Sequence, residues 1–261
     1  MIRELTEVEL EALLSSIQRE QHFLYYSYLT ARKQNATHFG QFTEQGELLG
    51  VLAFYRGLPF YAFSVFPVEK TFCIRTVLSY MKKELNFPNH AVGNIIVNEA
   101  VMEVLASQLK LVKSPKKLLL MKHVHLNALP PEDINVIRLG PPYFEIIESM
   151  MAELDTLAFS KEELQYPFYG VMEQRELIAV GGYHIYSEDY VELGNIGTDI
   201  RWRRQGHGKK LCTELTRAGR RVTPDVYLNV LEENIGAISL YQSIGYEIMC
   251  EQYMLEFSIV S

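Results

Sequence analysis

The stretch YVELGNIGTDIRWRRQGHGKKL, from Tyr190 to Leu211, decides the fold. It begins as a strand pattern, passes through a basic loop that ends in Gly206-His207-Gly208, and continues into a helical pattern. A glycine loop before a helix favours anions, because the first helical amides lack internal partners and the helix dipole adds positive potential. The loop is not a nucleotide-binding P-loop, because the Gly-Lys-Ser/Thr ending of that motif is absent. It is not a dinucleotide-binding fingerprint either, because Leu211 stands where the third glycine is needed. The loop therefore predicts a site for a different polyanion.

A second motif lies further along the chain. The apolar strand pattern Val226–Val230 is followed by Asn234-x-x-Ala237-x-x-Leu240-Tyr241 and then by Gly245-Tyr246-Glu247. Together with Arg203-x-x-Gly206-x-Gly208, this motif resembles the two signatures of the GNAT superfamily of acyl-CoA-dependent N-acyltransferases. The resemblance covers roughly residues 143–258. It implies an α/β (α+β) fold with a mixed, mostly antiparallel central sheet flanked by helices.

The N-terminal half shows the same order of patterns as the C-terminal half: hairpin, third strand, helix, strand, helix, strand. Thr6-x-x-Glu9 predicts a capping box at the first helix, and Asn98 predicts a later helix cap. No Gly-x-Gly follows Phe66, so we expect no cofactor site there. The expected division is a degenerate GNAT-like lobe at 1–126, a linker at 127–142 and a catalytic GNAT N-acetyltransferase domain at 143–261. Two lobes of this kind resemble the glycine N-acyltransferase-like branch.

The resemblance implies acetyl-CoA, or another acyl-CoA, as co-substrate, with its pyrophosphate in the glycine loop. The residues expected to line the pantetheine arm are Ile196, Gly197, Thr198, Asp199 and Ile200, where Ile200 replaces a proline frequent in the family. The residues expected at the pyrophosphate are Arg203, Arg204, Gln205, Gly206, His207, Gly208 and Lys209. Asn234 and Tyr241 complete the cofactor set. Asn234 also fits a helix N-cap, and the two roles are compatible.

Acyl transfer to an amine requires a group that accepts the amine proton and a group that protonates the departing thiolate. The resemblance implies that Tyr241 is the group that protonates the thiolate. The alternative interpretation is that Tyr241 is a core residue on an amphipathic helix. Glu192 is the candidate base, acting directly or through water, since a carboxylate within an apolar strand is costly unless it faces a cleft. Alternation places Glu192 and Gly194 on one strand face, and Leu193 and Asn195 on the other. The alternative for Glu192 is a partly exposed polar face, and His184 is a weaker candidate base.

Composition restricts the class of protein. The apolar fraction is 48%, the charged fraction is 22%, and no apolar run has the length of a membrane helix, so a globular protein that does not insert into membranes is expected. A net charge of −7 argues against nucleic-acid binding. The three dispersed cysteines and the charged N-terminus favour the reducing cytoplasm. No spacing predicts a metal site, and we interpret His123-x-His125 as one face of a strand.

The predicted activity is transfer of an acetyl (acyl) group to a primary amine by direct attack in a ternary complex. The two-lobe resemblance favours a small-molecule amine, and a homodimer is left open. The first alternative is a non-catalytic acyl-CoA-binding regulator whose N-terminal lobe contacts a partner. The second is a nucleotide-binding or NAD-binding α/β protein, which the failed glycine spacing disfavours.

Overall fold

The computed structural model describes residues 1–154 and 159–259. The chain forms two compact units. Unit 1 comprises Met1–Leu118 together with Cys250–Ser261, and unit 2 comprises Leu119–Met249. The C-terminal residues therefore belong to the unit that is otherwise built from the N-terminal half.

Unit 1 is a sheet with helices packed against it. Its strands are β1 (Ile2–Glu4), β2 (Ala36–Phe42), β3 (Leu48–Tyr55), β4 (Tyr61–Pro67), β5 (Val92–Asn98) and the Cys250–Ser258 part of β12 (Tyr246–Ser258). Its helices are α1 (Glu7–Ser16), α2 (Phe23–Leu29), α3 (Ile74–Glu84) and α4 (Glu99–Ala106). The strand order is β1-β2-β3-β4-β5-β12. Only β4 and β5 pair in parallel; the other neighbours are antiparallel.

Two caps predicted for unit 1 are confirmed. The Thr6 hydroxyl accepts the Glu9 amide, and the Glu9 carboxylate accepts the Thr6 amide at 2.8 Å, which forms a capping box. Asn98 Oδ1 accepts the Val101 amide at 2.9 Å and caps α4. Both signals are local in sequence, so they do not depend on how the rest of the chain folds.

Unit 2 repeats this plan. Its strands are most of β6 (Lys116–His123), β7 (Val136–Leu139), β8 (Phe168–Glu173), β9 (Glu176–Tyr186), β10 (Val191–Thr198) and β11 (Val226–Leu231). Its helices are α5 (Phe144–Glu153), α6 (His207–Arg220) and α7 (Ile235–Ser243). The strand order is β6-β11-β10-β9-β8-β7, with β10 and β11 parallel and β7 to β10 successively antiparallel. A mixed, mostly antiparallel sheet flanked by helices is therefore confirmed.

The core of unit 2 lies mainly between the sheet and α6. Leu211, Cys212 and Leu215 of α6 are almost fully buried, in one cluster with β9, β10 and β11. A separate apolar cluster holds Ile147 and Met151 of α5. Alternation along each strand thus sends one set of side chains to α6 and the other set towards α5.

The structure differs from the sequence expectation at two places. The stretch 127–142 was expected to be a linker because of its prolines, but it contains β7, in which Val136–Leu139 pairs with β8. Cys250–Ser258 lies in unit 1, where β12 pairs with β5, although it was expected within the C-terminal domain. Neither pairing has a local signal, since each joins strands that are distant in sequence. The apolar spacing from Tyr143 to Phe159 predicts a helix by itself. Helix α5 covers Phe144–Glu153 of that stretch, and residues 155–158 lie outside the described residues.

Candidate functional site

Strands β10 and β11 separate part-way along their length. They are paired only from Val191 to Leu193, opposite Val226 to Leu228. Beyond that point β10 continues to Thr198, still paired with β9, while β11 continues to Leu231. The backbone of 194–198 therefore has an edge that β11 does not occupy. Such an edge offers amides and carbonyls to an extended ligand.

The loop after β10 is ordered by its own charges. Asp199 caps a short 3₁₀ helix at Ile200–Trp202 by accepting the Arg201 amide. The Arg201 guanidinium contacts Asp199 and Glu176, each at 2.6 Å, and the pKa of Asp199 is lowered chiefly by Arg201. Arg201 therefore stabilises the loop itself. Of the basic residues in this loop, Arg201 is the one that we do not assign to anion binding.

Other cations of the loop remain available. Arg203 Nε donates to the Thr198 carbonyl at 3.0 Å. In the part of the chain that the structure describes, no carboxylate pairs with Arg203, Arg204 or Lys209, whereas Lys210 contacts Asp133 at 2.9 Å. The exposed Arg203 and Arg204 stand beside the start of α6. A multiply charged anion is the ligand such an arrangement suits.

Gly206 is the N-cap of α6 and has a φ of +86°. This left-handed backbone favours glycine, and nothing lies within 4 Å of where a Cβ on Gly206 would stand. No side chain caps α6. In unit 1, α3 follows β4 as α6 follows β10, yet the Cys73 amide donates to Gln41 Oε1 at 2.8 Å and the Ile74 amide to Gln108 Oε1 at 3.0 Å. The helix start in unit 2 is therefore open where that of unit 1 is satisfied internally.

The corresponding strand separation in unit 1 is also filled. Pairing of β4 with β5 ends at Phe63 opposite Ile95. The space beyond it is a cavity of only about 10 Å³ bordered by the start of α2. Tyr25 of α2 stacks on Phe66 with ring centroids 5.5 Å apart and ring planes 6° apart. Aromatic side chains thus occupy in unit 1 the place that is open along β10 in unit 2.

His207, the first residue of α6, is buried at 6% exposure. Its ring stands edge-on to Trp202, with centroids 5.9 Å apart. Neither ring nitrogen has a hydrogen-bond partner among the described residues. His207 therefore fixes the loop by packing, and its amide rather than its ring is the group presented at the helix start.

Tyr241 lies in α7 at 8% exposure, packed against Tyr246 at a centroid distance of 5.8 Å. Its hydroxyl interacts with the buried Cys212 thiol of α6. Burial is the main cause that raises the pKa of Tyr241 well above its ordinary value. The phenol consequently stays protonated at neutral pH and is able to act as a hydrogen-bond donor or as an acid.

Glu192 is 6% exposed, in the paired part of β10. Its Oε1 accepts the side-chain amide of Asn229 on β11 at 2.9 Å. Asn229 Oδ1 has no hydrogen-bond partner among the described residues. The pair lies on the sheet face opposite α6, because the neighbours Leu193 and Leu228 are packed against α6. The sequence had not singled out Asn229, since only strand register brings it to Glu192.

A third group of polar side chains joins His184, the weaker candidate base, to Asn195 and to Glu163, which had no sequence signal. Glu163, in the 3₁₀ helix Lys161–Gln165, is 7% exposed. It accepts Asn195 Nδ2 at 2.6 Å and contacts His184 Nδ1 at 3.0 Å. The expectation that Asn195 shares the face of Leu193 is wrong, because a φ of +55° at Asn195 interrupts the alternation.

The remaining predicted residues are distributed around the open edge. Ile196 faces α6 and Gly197 faces Leu154, so the two lie on opposite faces of β10. Ile200 is 76% exposed, and the Gln205 amide donates to the Arg201 carbonyl at 3.4 Å. Asn234 caps α7 by accepting the Ala237 amide at 3.2 Å, which confirms the N-cap. A Cβ on Gly208 would make only ordinary contacts, with Leu240 and Thr198.

Two negative findings concern the described residues. Over 1–154 and 159–259 there is no group of three or more His, Cys, Asp or Glu side chains arranged to hold a metal ion. No helix in those ranges combines the length and apolarity that crossing a bilayer requires.

Comparison with known proteins gives a partial match to one family model. Residues 134–246 match the model of the acetyltransferase (GNAT) family. No curated protein matches the sequence. Among solved structures, a Drosophila protein has a TM-score of 0.70 at 15% identity, covering 100% of this chain and 99% of that chain. A GCN5-related N-acetyltransferase from Sphaerobacter thermophilus has a TM-score of 0.69 at 12% identity, covering 100% and 96%.

A third match is a tandem GNAT protein from the clavulanic acid biosynthesis pathway, with a TM-score of 0.64 at 10% identity, covering 100% of this chain and 99% of that chain. At these identities the structural likeness concerns the fold, and it supports two lobes. The glycine N-acyltransferase-like branch is not confirmed. The residues that carry the open edge and the glycine loop lie within the stretch 134–246 that is similar to the acetyltransferase (GNAT) family model.

Proposed function

We propose that the protein is an acyl-CoA-dependent N-acyltransferase that transfers an acetyl group from acetyl-CoA to a primary amine of a small molecule. One observation carries the proposal. The open edge of β10 leads directly to the uncapped start of α6, beside Arg203 and Arg204. Acetyl-CoA has the matching shape: an extended amide-bearing arm that ends in a pyrophosphate.

The cofactor is proposed to bind in two parts. Amides of Gly206 to Lys209 hold the pyrophosphate at the helix start, where the dipole favours it, and Arg203 and Arg204 add charge. The backbone of 196–200 pairs with the pantetheine arm. An amide near Gly197 or Thr198 then polarises the thioester carbonyl. Asn234, whose side chain caps α7, lies in the second motif and adds a cofactor contact.

The chemical step needs a base and an acid. Glu192 is proposed to take the amine proton through a water molecule, because its carboxylate is almost fully buried and held by Asn229. The neutral amine attacks the thioester carbonyl within a ternary complex. Tyr241 is the proposed acid that donates to and protonates the departing thiolate, and burial, which raises its pKa, leaves the phenol protonated at neutral pH.

The two lobes are proposed to have different roles. Unit 1 lacks a glycine loop, its α3 amides are occupied by Gln41 and Gln108, and aromatic rings fill its strand separation. We therefore propose a degenerate lobe without cofactor. The net charge of −7 favours a cationic acceptor over nucleic acid. The free thiols of Cys73, Cys212 and Cys250 fit the reducing cytoplasm.

Calorimetric titration with acetyl-CoA, followed by detection of free thiol released with a panel of amines, tests the proposal. Micromolar binding and amine-dependent thiol release are expected. Tight binding with no release on any amine would instead indicate a regulator that binds acyl-CoA. Absence of binding to acetyl-CoA and to longer acyl-CoA thioesters would refute the cofactor assignment.

A further inference from the structure

The carboxylate of Glu163 is bound by three separate segments of unit 2. Asn195 Nδ2 of β10 donates to it at 2.6 Å, and His184 Nδ1 of β9 lies 3.0 Å away. The Ser160 amide donates to Glu163 Oε2 at 3.4 Å, which completes the capping box of the 3₁₀ helix. Because a carboxylate only accepts, the His184 hydrogen is on Nδ1. Glu163 thus ties one loop to two neighbouring strands.

The two strand residues that Glu163 contacts are both irregular. On β9, His184 is an extra residue, since Glu192 pairs with Ile185 and Leu193 pairs with Tyr183. On β10, the register shifts again between Gly194 and Gly197, where Asn195 is one of the extra residues. One buried carboxylate therefore binds the bulged residue of each of two successive bulges. Bulges of this kind redirect a strand, and they are frequent beside functional sites.

Asn195 needs such support. Its φ of +55° is unfavourable for a residue with a side chain, although asparagine tolerates it better than most. A buried carboxylate is also costly, and stability alone would be served as well by an apolar residue. The position of these bulges suggests what they achieve: they begin where β10 parts from β11.

We propose that Glu163 is a positioning residue that holds the backbone of 195–198 in the orientation required by the thioester. It acts through Asn195, whose side chain it binds, and through His184, whose ring lies against Gly194. A Cβ on Gly194 would stand 2.3 Å from His184 Nε2, so the ring covers the strand at that point. This assignment rests on the proposed acyltransferase function.

The test compares Glu163→Gln with Glu162→Gln, its exposed neighbour in the same 3₁₀ helix. Glu163→Gln leaves one acceptor oxygen for two donors, so Asn195 Nδ2 and His184 Nδ1 are no longer both bound. We expect kcat to fall about tenfold or more in Glu163→Gln while the Kd for CoA, set mainly by the pyrophosphate loop, changes less than about threefold. Glu162→Gln should match the wild type. A proportional loss of kcat and CoA affinity, or an unchanged kcat, would overturn the proposal.

Variants of Asn195 separate positioning from a general loss of stability. Asn195→Gly and Asn195→Ala both lose the bond to Glu163, but only glycine adopts the positive φ easily. We expect Asn195→Gly to keep kcat within about threefold of the wild type and Asn195→Ala to lose about tenfold. Adding Glu163→Gln to Asn195→Gly should then change little. Equal losses in the two single variants would contradict the proposed backbone mechanism.

A spectroscopic readout keeps the inference testable without turnover. If the wild type turns over no amine, the proposed function fails, but the backbone orientation is still observable. On addition of acetyl-CoA, the amide NMR signals of Gly194 and Gly197 should shift alike in the wild type and in Glu162→Gln, and by different amounts in Glu163→Gln. The same shifts in Glu163→Gln would refute the positioning role.

Discussion

Tyr241 is a phenol in the core, and its chemistry follows from that burial. Burial raises the pKa of Tyr241, so the hydroxyl carries its proton at neutral pH, the state that the proposed acid requires. Tyr241→Phe removes only the hydroxyl. We expect kcat to fall about 10²-fold or more while the Kd for CoA stays nearly constant. Rapid-mixing assays and calorimetry measure the two quantities, and equal activity in the variant would remove Tyr241 from the mechanism.

Glu192 is tested by a substitution that preserves its shape. In Glu192→Gln the side-chain carbonyl still accepts the Asn229 amide, so the strand pair should remain intact. We expect the rate to fall most at low pH, where the acceptor amine carries the proton that Glu192 would remove. The exposed Glu188 in the preceding turn supplies the control, Glu188→Gln. A constant ratio of wild-type to Glu192→Gln rates across pH would assign Glu192 a structural role.

His38 makes stability depend on pH. It is 2% exposed, and burial lowers its pKa from 6.5 to about 4. The unfolded chain therefore takes up a proton below about pH 6.5, while the folded chain does so only near pH 4. The contribution of His38 to the free energy of unfolding is fully present above pH 6.5. As the pH falls from 6.5 to about 4, the free energy of unfolding decreases by up to about 3 kcal/mol.

Denaturant unfolding at pH 7 and pH 5 measures this effect. In His38→Gln the loss between the two pH values should be smaller than in the wild type, although His123, whose pKa is also about 4, keeps its contribution. The exposed His90 provides the control, and His90→Gln should retain the full loss. An equal loss in His38→Gln and the wild type would contradict the prediction.

At the scale of elements, the start of α6 is the feature that sequence predicted best. The glycine loop, its positive φ at Gly206 and the Asn234 cap are all determined by neighbouring residues, so local patterns are sufficient to find them. Glu163 and Asn229 had no such signal. Each meets its partner, Asn195 or Glu192, only because strands and loops distant in sequence adopt a particular register. Predicting those contacts requires the sheet first.

Gly206→Glu tests the glycine loop as an element. We expect it to abolish detectable CoA binding, because a carboxylate would enter the space beside the first amides of α6. Gly46→Glu is a matched control, since Gly46 has a φ of +89° and equally open surroundings in the β2–β3 turn. Both variants carry the same backbone strain, about 1 kcal/mol. Unchanged affinity in Gly206→Glu by calorimetry would refute the cofactor site.

At the scale of the whole molecule, two lobes of like topology were predictable from the repeated order of patterns. The unit to which most of β12 belongs was not predictable. Its last residues pair with β5, and Phe257 is fully buried beside Phe63 at a centroid distance of 5.6 Å. A strand pattern indicates that a strand exists, whereas its partner depends on packing. The same reasoning explains why β7 was overlooked between prolines.

Phe257→Ala tests the contribution of β12 to unit 1. Loss of this ring should lower the unfolding free energy of unit 1 by about 3–5 kcal/mol. Ile248, on the same strand but 45% exposed, gives the control Ile248→Ala, which should have little effect. Hydrogen exchange of the full chain, measured segment by segment, locates the loss. Protection that falls equally in 119–249 would contradict the division into units.

The assignment of Cys250–Ser258 to unit 1 has a consequence for synthesis. On the ribosome, the first 118 residues emerge long before the strand that pairs with β5. At about 5–20 residues per second, the nascent N-terminal half waits for seconds with an edge of β5 uncovered. Unit 2, whose residues are contiguous, is complete before unit 1 is. The half of the protein made first is thus the half that finishes folding last, and chaperone binding should concentrate on it during that interval.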